Sequence, residues 1–198
     1  MRPDRSFFEG NDVVSLAKRL LGCTLYTKFG GTITAGRIVE TEAYRGRDDK
    51  ACHAFGYKRT KRTETMFLAG GHTYVYLCYG IHHLFNIVTS KEGEPDAVLI
   101  RSIEPVEGID EMMKRRKINY IKPQLTAGPG VLSKALGLSI EMNAIDLTDP
   151  SSPIGLILND PIPDSGILAG PRIGIDYAGD CADWPWRFCI KNNDYLSR

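Results

Sequence analysis

The feature that most constrains the fold is a pair of β-rich runs joined by two glycines. Residues 23–28 and 32–44 are rich in strand-forming residues, and they flank Gly30-Gly31. Glycine adopts positive φ angles at little steric cost, so such a pair is typical of the tight turn of a β-hairpin. The sequence therefore predicts two antiparallel strands, and the second one ends in an acidic and aromatic segment, residues 40–44.

Further strands and helices are predicted around this hairpin. Residues 73–79, 83–90 and 97–103 have the alternation of strands, and 186–190 is expected to be the last strand. Tyr79-Gly80 falls between the first two of these runs, as the tip of a short hairpin does.

Apolar residues at helical spacing predict a helix ending before Gly22 and two more at 108–116 and 131–136. The third helix is entered through Gly128-Pro129-Gly130. The sheet is expected to end at Glu104-Pro105, because proline cannot donate to a strand ladder.

Composition limits the class of protein. With 198 residues, of which 42% are hydrophobic and 25% charged, the chain is expected to form one domain over residues 1–198. The net charge of +1 means that a polyanion would have to be bound by a local patch. The sequence shows neither a signal peptide nor an apolar run of about 20 residues, which predicts a soluble, cytoplasmic protein without a membrane partner.

The cysteines and histidines do not have the spacing of metal ligands. Five cysteines, an odd number without a C-x-x-C pair, are expected to be reduced thiols. The four histidines lack H-x-H and H-x-x-x-H spacing, so no metal site is predicted.

A basic segment follows the acidic strand end. Residues 45–72 contain seven arginines and lysines but only three acidic residues, which leaves a local surplus of four positive charges. This segment is either a solvated loop or a surface that faces phosphates.

Glu40 and Glu42 are two residues apart, so both carboxylates are expected on one strand face with Thr41 on the other. If that face is exposed to solvent, the acids are ordinary surface charges. The apolar strand around them favours burial instead, and burial raises the pKa of a carboxyl group towards that of a usable base. Glu42 is the candidate base, and Glu40 is either catalytic support or a member of an ion pair.

The tyrosines and His53 allow both structural and functional interpretations. Tyr74 and Tyr76 share one strand face, which is typical of core packing, and a lone histidine such as His53 is usually a hydrogen-bonded structural group. Tyr79 beside its turn glycine is different, because an exposed aromatic ring at a hairpin tip needs a partner. A gap between stacked bases is one candidate.

These residues together resemble the alkyladenine (3-methyladenine) DNA glycosylase family in its compact bacterial form. The resemblance covers nearly the whole chain and depends on the order and spacing of its motifs. The motifs are Arg37-Ile38-Val39-Glu40-Thr41-Glu42-Ala43-Tyr44, His53, Met66-Phe67, Tyr74-Val75-Tyr76 with Tyr79-Gly80, Asn86-Ile87, Val98-Leu99-Ile100-Arg101, Gly128-Pro129 with Ser133-Lys134, and Arg172-Ile173-Gly174.

The resemblance implies a hydrolase of DNA base excision repair. Its members flip alkylated or deaminated purines, such as 3-methyladenine, 7-methylguanine, hypoxanthine and ethenoadenine, out of double-stranded DNA and leave an abasic site. Glu42 would activate the attacking water, Arg101 would help to hold that water and the nucleotide's phosphate, and a backbone carbonyl near Ile175 would assist. No cofactor and no metal are expected for this chain, and a nucleoid-associated monomer is expected.

The remaining implied roles concern the flipped base. Tyr44 would stack on one side of the base and Tyr76 with His53 on the other, while Tyr79 would fill the gap left in the DNA. Asn86 would crowd the exocyclic amino group of guanine, so that adenine-like lesions and hypoxanthine enter more easily.

The implied fold is α+β, a curved and mostly antiparallel sheet with peripheral helices and a protruding hairpin, similar to the C-terminal domain of formyltransferases. Two other functions are compatible with parts of the sequence. One is a nucleic-acid binding module of the same fold without chemistry, in which Glu42 would have no purpose. The other is a metal hydrolase built on Glu40, Glu42 and His53.

Overall fold

An antiparallel sheet of eight strands forms the centre of the protein. The computed structural model describes residues 1–10 and 12–197. The strands run in the order β3-β4-β5-β2-β1-β6, and β8 pairs with both β2 and β7. Their bounds are Thr24–Phe29 (β1), Thr32–Tyr44 (β2), Thr73–Cys78 (β3), His82–Thr89 (β4), Asp96–Glu107 (β5), Ile154–Ile157 (β6), Ile167–Gly170 (β7) and Arg187–Ile190 (β8). The predicted α+β class is confirmed.

The glycine hairpin is confirmed. Gly30 and Gly31 have φ angles of 57° and 80°, and Phe29 pairs with Thr32 across the turn. The hairpin fixes the start of β2, and the thirteen residues of that strand carry the chain to the acidic segment.

Strand β2 changes partners along one edge. It pairs with β1 over residues 32–37 and with β8 over residues 40–42, while β5 follows it along the other edge. The register of β2 on β5 shifts on both sides of Glu40. Such irregularities bend and twist a strand, and here the bend lies at the two acids.

The predicted strands after the basic segment are confirmed with small changes of bounds, but the end of the sheet at Pro105 is wrong. Strand β5 continues to Glu107, and Pro105 pairs with Gly36 at another register shift. Strand β4 pairs only with the first part of β5, residues 96–99. Among the described pairings Pro105 therefore has a strand on one side only, where a missing N–H is tolerated.

In the described part of the chain, four α-helices pack around the sheet, and the predicted ones are confirmed. They are Arg5–Phe8 (α1), Val13–Leu20 (α2), Ile109–Arg116 (α3) and Pro129–Leu136 (α4). The Asp12 side chain caps α2 by accepting from the Val14 N–H at 3.0 Å, and the apolar face of the helix is buried on β2 and β5. Helix α4 begins after Gly128, whose φ of 132° requires glycine.

The main hydrophobic core lies between these helices and the sheet, and a smaller cluster lies beneath the aromatic side chains described below. All five cysteines are free thiols. Within the described part of the chain, no helix has both the length and the apolar character needed to cross a bilayer.

Candidate active site

Seven of the eight residues predicted for the site line one cavity of about 610 Å³. The cavity lies where the end of β2, the β3–β4 hairpin and the start of α4 meet residues 173–177. The seven residues are Tyr44, His53, Tyr76, Tyr79, Asn86, Arg101 and Ile175. The structure thus brings together side chains that are up to 131 positions apart in sequence.

Glu42, the eighth residue, lies directly behind the cavity wall. Its side chain is fully buried, so the interpretation as a solvent-facing acid is wrong. Its Oε2 accepts from the Tyr44 hydroxyl at 2.7 Å and from Arg101 Nη1 at 3.2 Å, and its Oε1 accepts from the Ile173 N–H at 2.8 Å. All three donors line the cavity, so the carboxylate is one hydrogen bond away from it.

Glu40 is also fully buried and bonds the same arginine. Arg101 Nε donates to Glu40 Oε1 at 3.2 Å, and Arg187 Nη1 donates to that oxygen at 3.1 Å. Thr41 points the other way and donates to the Ala17 carbonyl oxygen at 2.9 Å. The predicted placement of both acids on one face is therefore confirmed.

The charges of this buried group balance. Two carboxylates, Glu40 and Glu42, face two guanidinium groups, Arg101 and Arg187. Burial alone would lower the pKa of Arg101, but the Glu42 and Glu40 charges outweigh that effect and raise it. Arg101 therefore stays cationic at the cavity wall and keeps its ion pairs with both acids.

His53 and Tyr76 form one aromatic wall. Their ring centroids are 4.6 Å apart at an interplanar angle of 73°. His53 Nε2 lies 3.2 Å from Arg62 Nη2, which can only donate, so Nε2 accepts. The proton of the neutral ring is then on Nδ1, which donates to the Tyr74 hydroxyl oxygen at 2.8 Å.

Burial and, secondarily, the nearby Arg62 charge lower the pKa of His53 to about 4. The imidazole is therefore neutral near pH 7 and does not repel a cationic ligand. The sequence predicts Tyr74 to be a core residue. It is buried there, but it also orients His53, a role that becomes visible only when residues 53 and 74 are placed together.

Tyr44 forms the opposite side of the cavity and has a cation behind its ring. The Arg172 guanidinium carbon lies 4.8 Å from the ring centroid, and Arg172 Nη2 donates to Asp49 Oδ1 at 2.8 Å. Burial and, secondarily, the Glu42 charge raise the pKa of Tyr44 well above its usual value, so its hydroxyl remains a donor. Arg172 belongs to a motif of the sequence, but no sequence signal indicates its contact with the Tyr44 ring or its pairing with Asp49.

Tyr79 is at the tip of the β3–β4 hairpin, as predicted. Its side chain is 90% exposed, and its φ of 50° is followed by a φ of 73° at Gly80. Asn86 is buried on the neighbouring strand, and its Nδ2 donates to the Tyr74 carbonyl oxygen at 3.0 Å. Ile175 is buried and contributes to the wall near Tyr44.

Six of the seven arginines and lysines in residues 45–72 are exposed, and the segment adjoins the cavity. Arg47, Lys50, Lys58 and Lys61 are exposed. Arg62 lies over the Tyr76 ring at 5.1 Å from its centroid and lines the cavity. The segment is thus solvated and also positioned beside the opening, and phosphate binding remains a prediction. Among the described residues, no group of three or more histidine, cysteine, aspartate or glutamate side chains could hold a metal ion.

Comparison with known proteins identifies the family. The methylpurine-DNA glycosylase family model matches residues 6–194. A Chlamydia pneumoniae protein named "Putative 3-methyladenine DNA glycosylase" is 48% identical over 189 residues, covering 95% of this chain and 94% of its own. A protein of the same name from Bacillus cereus strain G9842 is 45% identical over an alignment of 205 positions that covers all of both chains.

The chain belongs to the methylpurine-DNA glycosylase family. It is therefore a DNA repair enzyme of the class that hydrolyses N-glycosyl bonds, and the resemblance seen in the sequence is confirmed.

Proposed function

We propose that this glycosylase excises alkylated and deaminated purines from duplex DNA by hydrolysis and leaves an abasic site. The substrates would be of the 3-methyladenine, 7-methylguanine, hypoxanthine and ethenoadenine type. The observation that carries the proposal is the placement of Glu42, a fully buried carboxylate whose three donors all line an aromatic cavity.

The cavity suits a flat and electron-poor base. Its volume lies within the range of small-molecule sites, and Tyr44 and Tyr76 provide aromatic faces. A cationic alkylpurine gains about 0.5–2 kcal/mol from such a face, more than an undamaged base does. Because His53 is neutral, the histidine does not cancel this gain.

A base inside duplex DNA can reach this cavity only after it has left the stack. Tyr79 is exposed beside the opening, and its ring would enter the space that the flipped nucleotide leaves. The exposed lysines and arginines of residues 47–62 would contact the backbone phosphates on either side.

Glu42 would accept a proton from the water that attacks the anomeric carbon of the deoxyribose, while the N-glycosidic bond breaks and its electron pair leaves with the purine. Its negative charge would also favour the cationic sugar of the transition state. The carboxylate is covered by Tyr44 and Arg101, so a small shift of the Tyr44 hydroxyl must open it to that water. Asn86 would crowd the exocyclic amino group of guanine, so that adenine-like lesions and hypoxanthine enter more easily.

The test is cleavage of a duplex that carries a single hypoxanthine or ethenoadenine, followed by hot alkali, with and without EDTA. Wild-type protein is expected to give alkali-sensitive strands in both buffers, and Glu42→Gln to give none. If the wild type yields no product on any alkylated or deaminated purine, the proposed substrate class is wrong. Full cleavage by Glu42→Gln would instead remove Glu42 from the role of base.

A further inference from the structure

The segment Asn193–Ser197 closes over the two buried acids. The Ser197 N–H donates to Glu40 Oε2 at 2.7 Å, and the Ser197 hydroxyl donates to Glu40 Oε1 at 2.8 Å. The same hydroxyl oxygen accepts from Arg101 Nη2 at 3.2 Å and from Arg101 Nε at 3.3 Å. Ser197 thus bonds both the acid and the guanidinium group that lines the cavity.

The segment is attached to β5 at two further points. The Ser102 hydroxyl donates to the Tyr195 carbonyl oxygen, and Asn193 Nδ2 donates to Glu104 Oε2 at 3.0 Å. The Asn193 side chain also turns the segment, because its Oδ1 accepts from the Tyr195 N–H at 2.9 Å. These contacts hold Ser197 against Arg101 without help from a strand of its own.

The contacts of Arg101 explain why Ser197 matters for orientation. Nη1 bonds Glu42, Nε bonds Glu40, and Nη2 bonds Ser197. Without the serine hydroxyl, Nη2 loses this acceptor, and only Glu40 at Nε and Glu42 at Nη1 would hold the planar group. A turn of the group would then lengthen the Nη1 contact with Glu42 and change the atoms that face the cavity.

We propose that Ser197 is a positioning residue, which fixes the Arg101 guanidinium group in register with the Glu42 carboxylate. The proposal rests on the proposed function for its catalytic consequence, but the orientation of Arg101 can be tested independently. The match to the family model ends at residue 194 of this chain, so the Ser197 contact lies outside the matched part.

The first experiment measures excision in single-turnover reactions with hypoxanthine DNA. Ser197→Ala is expected to lower the rate constant about tenfold, because a small misplacement of a positioned group is costly. Ser197→Thr keeps the hydroxyl and should restore most of the rate. Affinity for a duplex with a non-cleavable abasic analogue should change less than twofold, and Ser165→Ala, at an exposed serine, is the matched control.

The second experiment does not depend on activity. NMR is used to observe the Nε–H signal of Arg101, identified by its absence in Arg101→Lys. In Ser197→Ala this proton is expected to exchange with solvent at least tenfold faster than in the wild type, and in Ser197→Thr at nearly the wild-type rate. Unchanged exchange in Ser197→Ala would overturn the proposal, whether or not the wild type excises hypoxanthine.

A third outcome separates positioning from stability. If Ser197→Ala loses rate and melting temperature together, and Ser197→Thr recovers neither, Ser197 only stabilises the fold and the proposal is wrong. If the wild type has no excision activity while the exchange result holds, only the proposed function fails.

Discussion

The Tyr44 hydroxyl and the Arg101 guanidinium group donate to the same oxygen of Glu42, at 2.7 Å and 3.2 Å. The Tyr44 ring, which would stack on the flipped purine, therefore also covers Glu42, the proposed general base. The two functions of Tyr44 can be separated by removing its hydroxyl alone.

Tyr44→Phe is expected to keep the aromatic face and lose one donor to a buried carboxylate. Hydrogen bonds to charged groups contribute about 1.5–3 kcal/mol, so the free energy of unfolding should fall by that amount. The excision rate should fall while affinity for DNA with a non-cleavable lesion remains near the wild-type value. Loss of that affinity in Tyr44→Phe would show that the hydroxyl, and not only the ring, contacts the base.

Tyr79→Ser should reduce excision with little effect on stability. Because Tyr79 is 90% exposed, the change in unfolding free energy is expected to stay within about 0.5 kcal/mol. Single-turnover rates and thermal melting measure the two effects, and Tyr120→Ser, at another exposed tyrosine, is the control. A parallel loss of melting temperature and activity would contradict intercalation by Tyr79.

His53 predicts a pH dependence of stability. Its pKa is about 4 in the folded protein and near 6.5 when unfolded, so between these values the unfolded chain binds the extra proton. Stability is therefore expected to fall as pH decreases from about 6.5 to 4, by up to about 3 kcal/mol from this group.

The measurement is urea denaturation at several pH values for the wild type and His53→Gln. The substituted protein should have a flatter profile over this interval, since glutamine does not titrate. Equal slopes in the two proteins would mean that His53 titrates normally in the folded state.

Asp49→Ala should destabilise the protein strongly. Asp49 and Arg172 form a buried ion pair behind the Tyr44 ring, and removal of one partner leaves an uncompensated charge. Such losses cost about 3–5 kcal/mol. Denaturation measures this cost, and Asp48→Ala, at the neighbouring and more exposed acid, should cost less than about 1 kcal/mol.

Local patterns were sufficient for much of the fold and for the side of β2 on which the acids lie. The glycine pair and the period-two spacing are properties of neighbouring residues, and both predictions are confirmed. The partners of the acids could not be found in this way. Glu42 is bonded by the Ile173 N–H, 131 positions away, and a backbone group leaves no signal in a side-chain pattern.

The error at Pro105 has a similar origin. Proline disrupts a strand that is paired on both sides, because it has no N–H to donate. Whether β5 is paired on both sides at Pro105 depends on how far β4 extends along it. Likewise, Tyr74 carries no motif that distinguishes a buried ring from one that also orients a histidine. The roles of the individual site residues in catalysis stay predictions until the variants above are measured.

The change of partners along β2 means that one of its pairings can form only late in synthesis. Arg187 on β8 follows Glu40 by 147 positions, which a ribosome covers in roughly 7 to 30 seconds. Until then, the edge of β2 that carries the acids has no strand beside it, and Glu40 lacks one of its two cations. A nascent chain that stops before residue 187 therefore lacks β8 beside residues 40–42 and lacks the Arg187 guanidinium group that bonds Glu40.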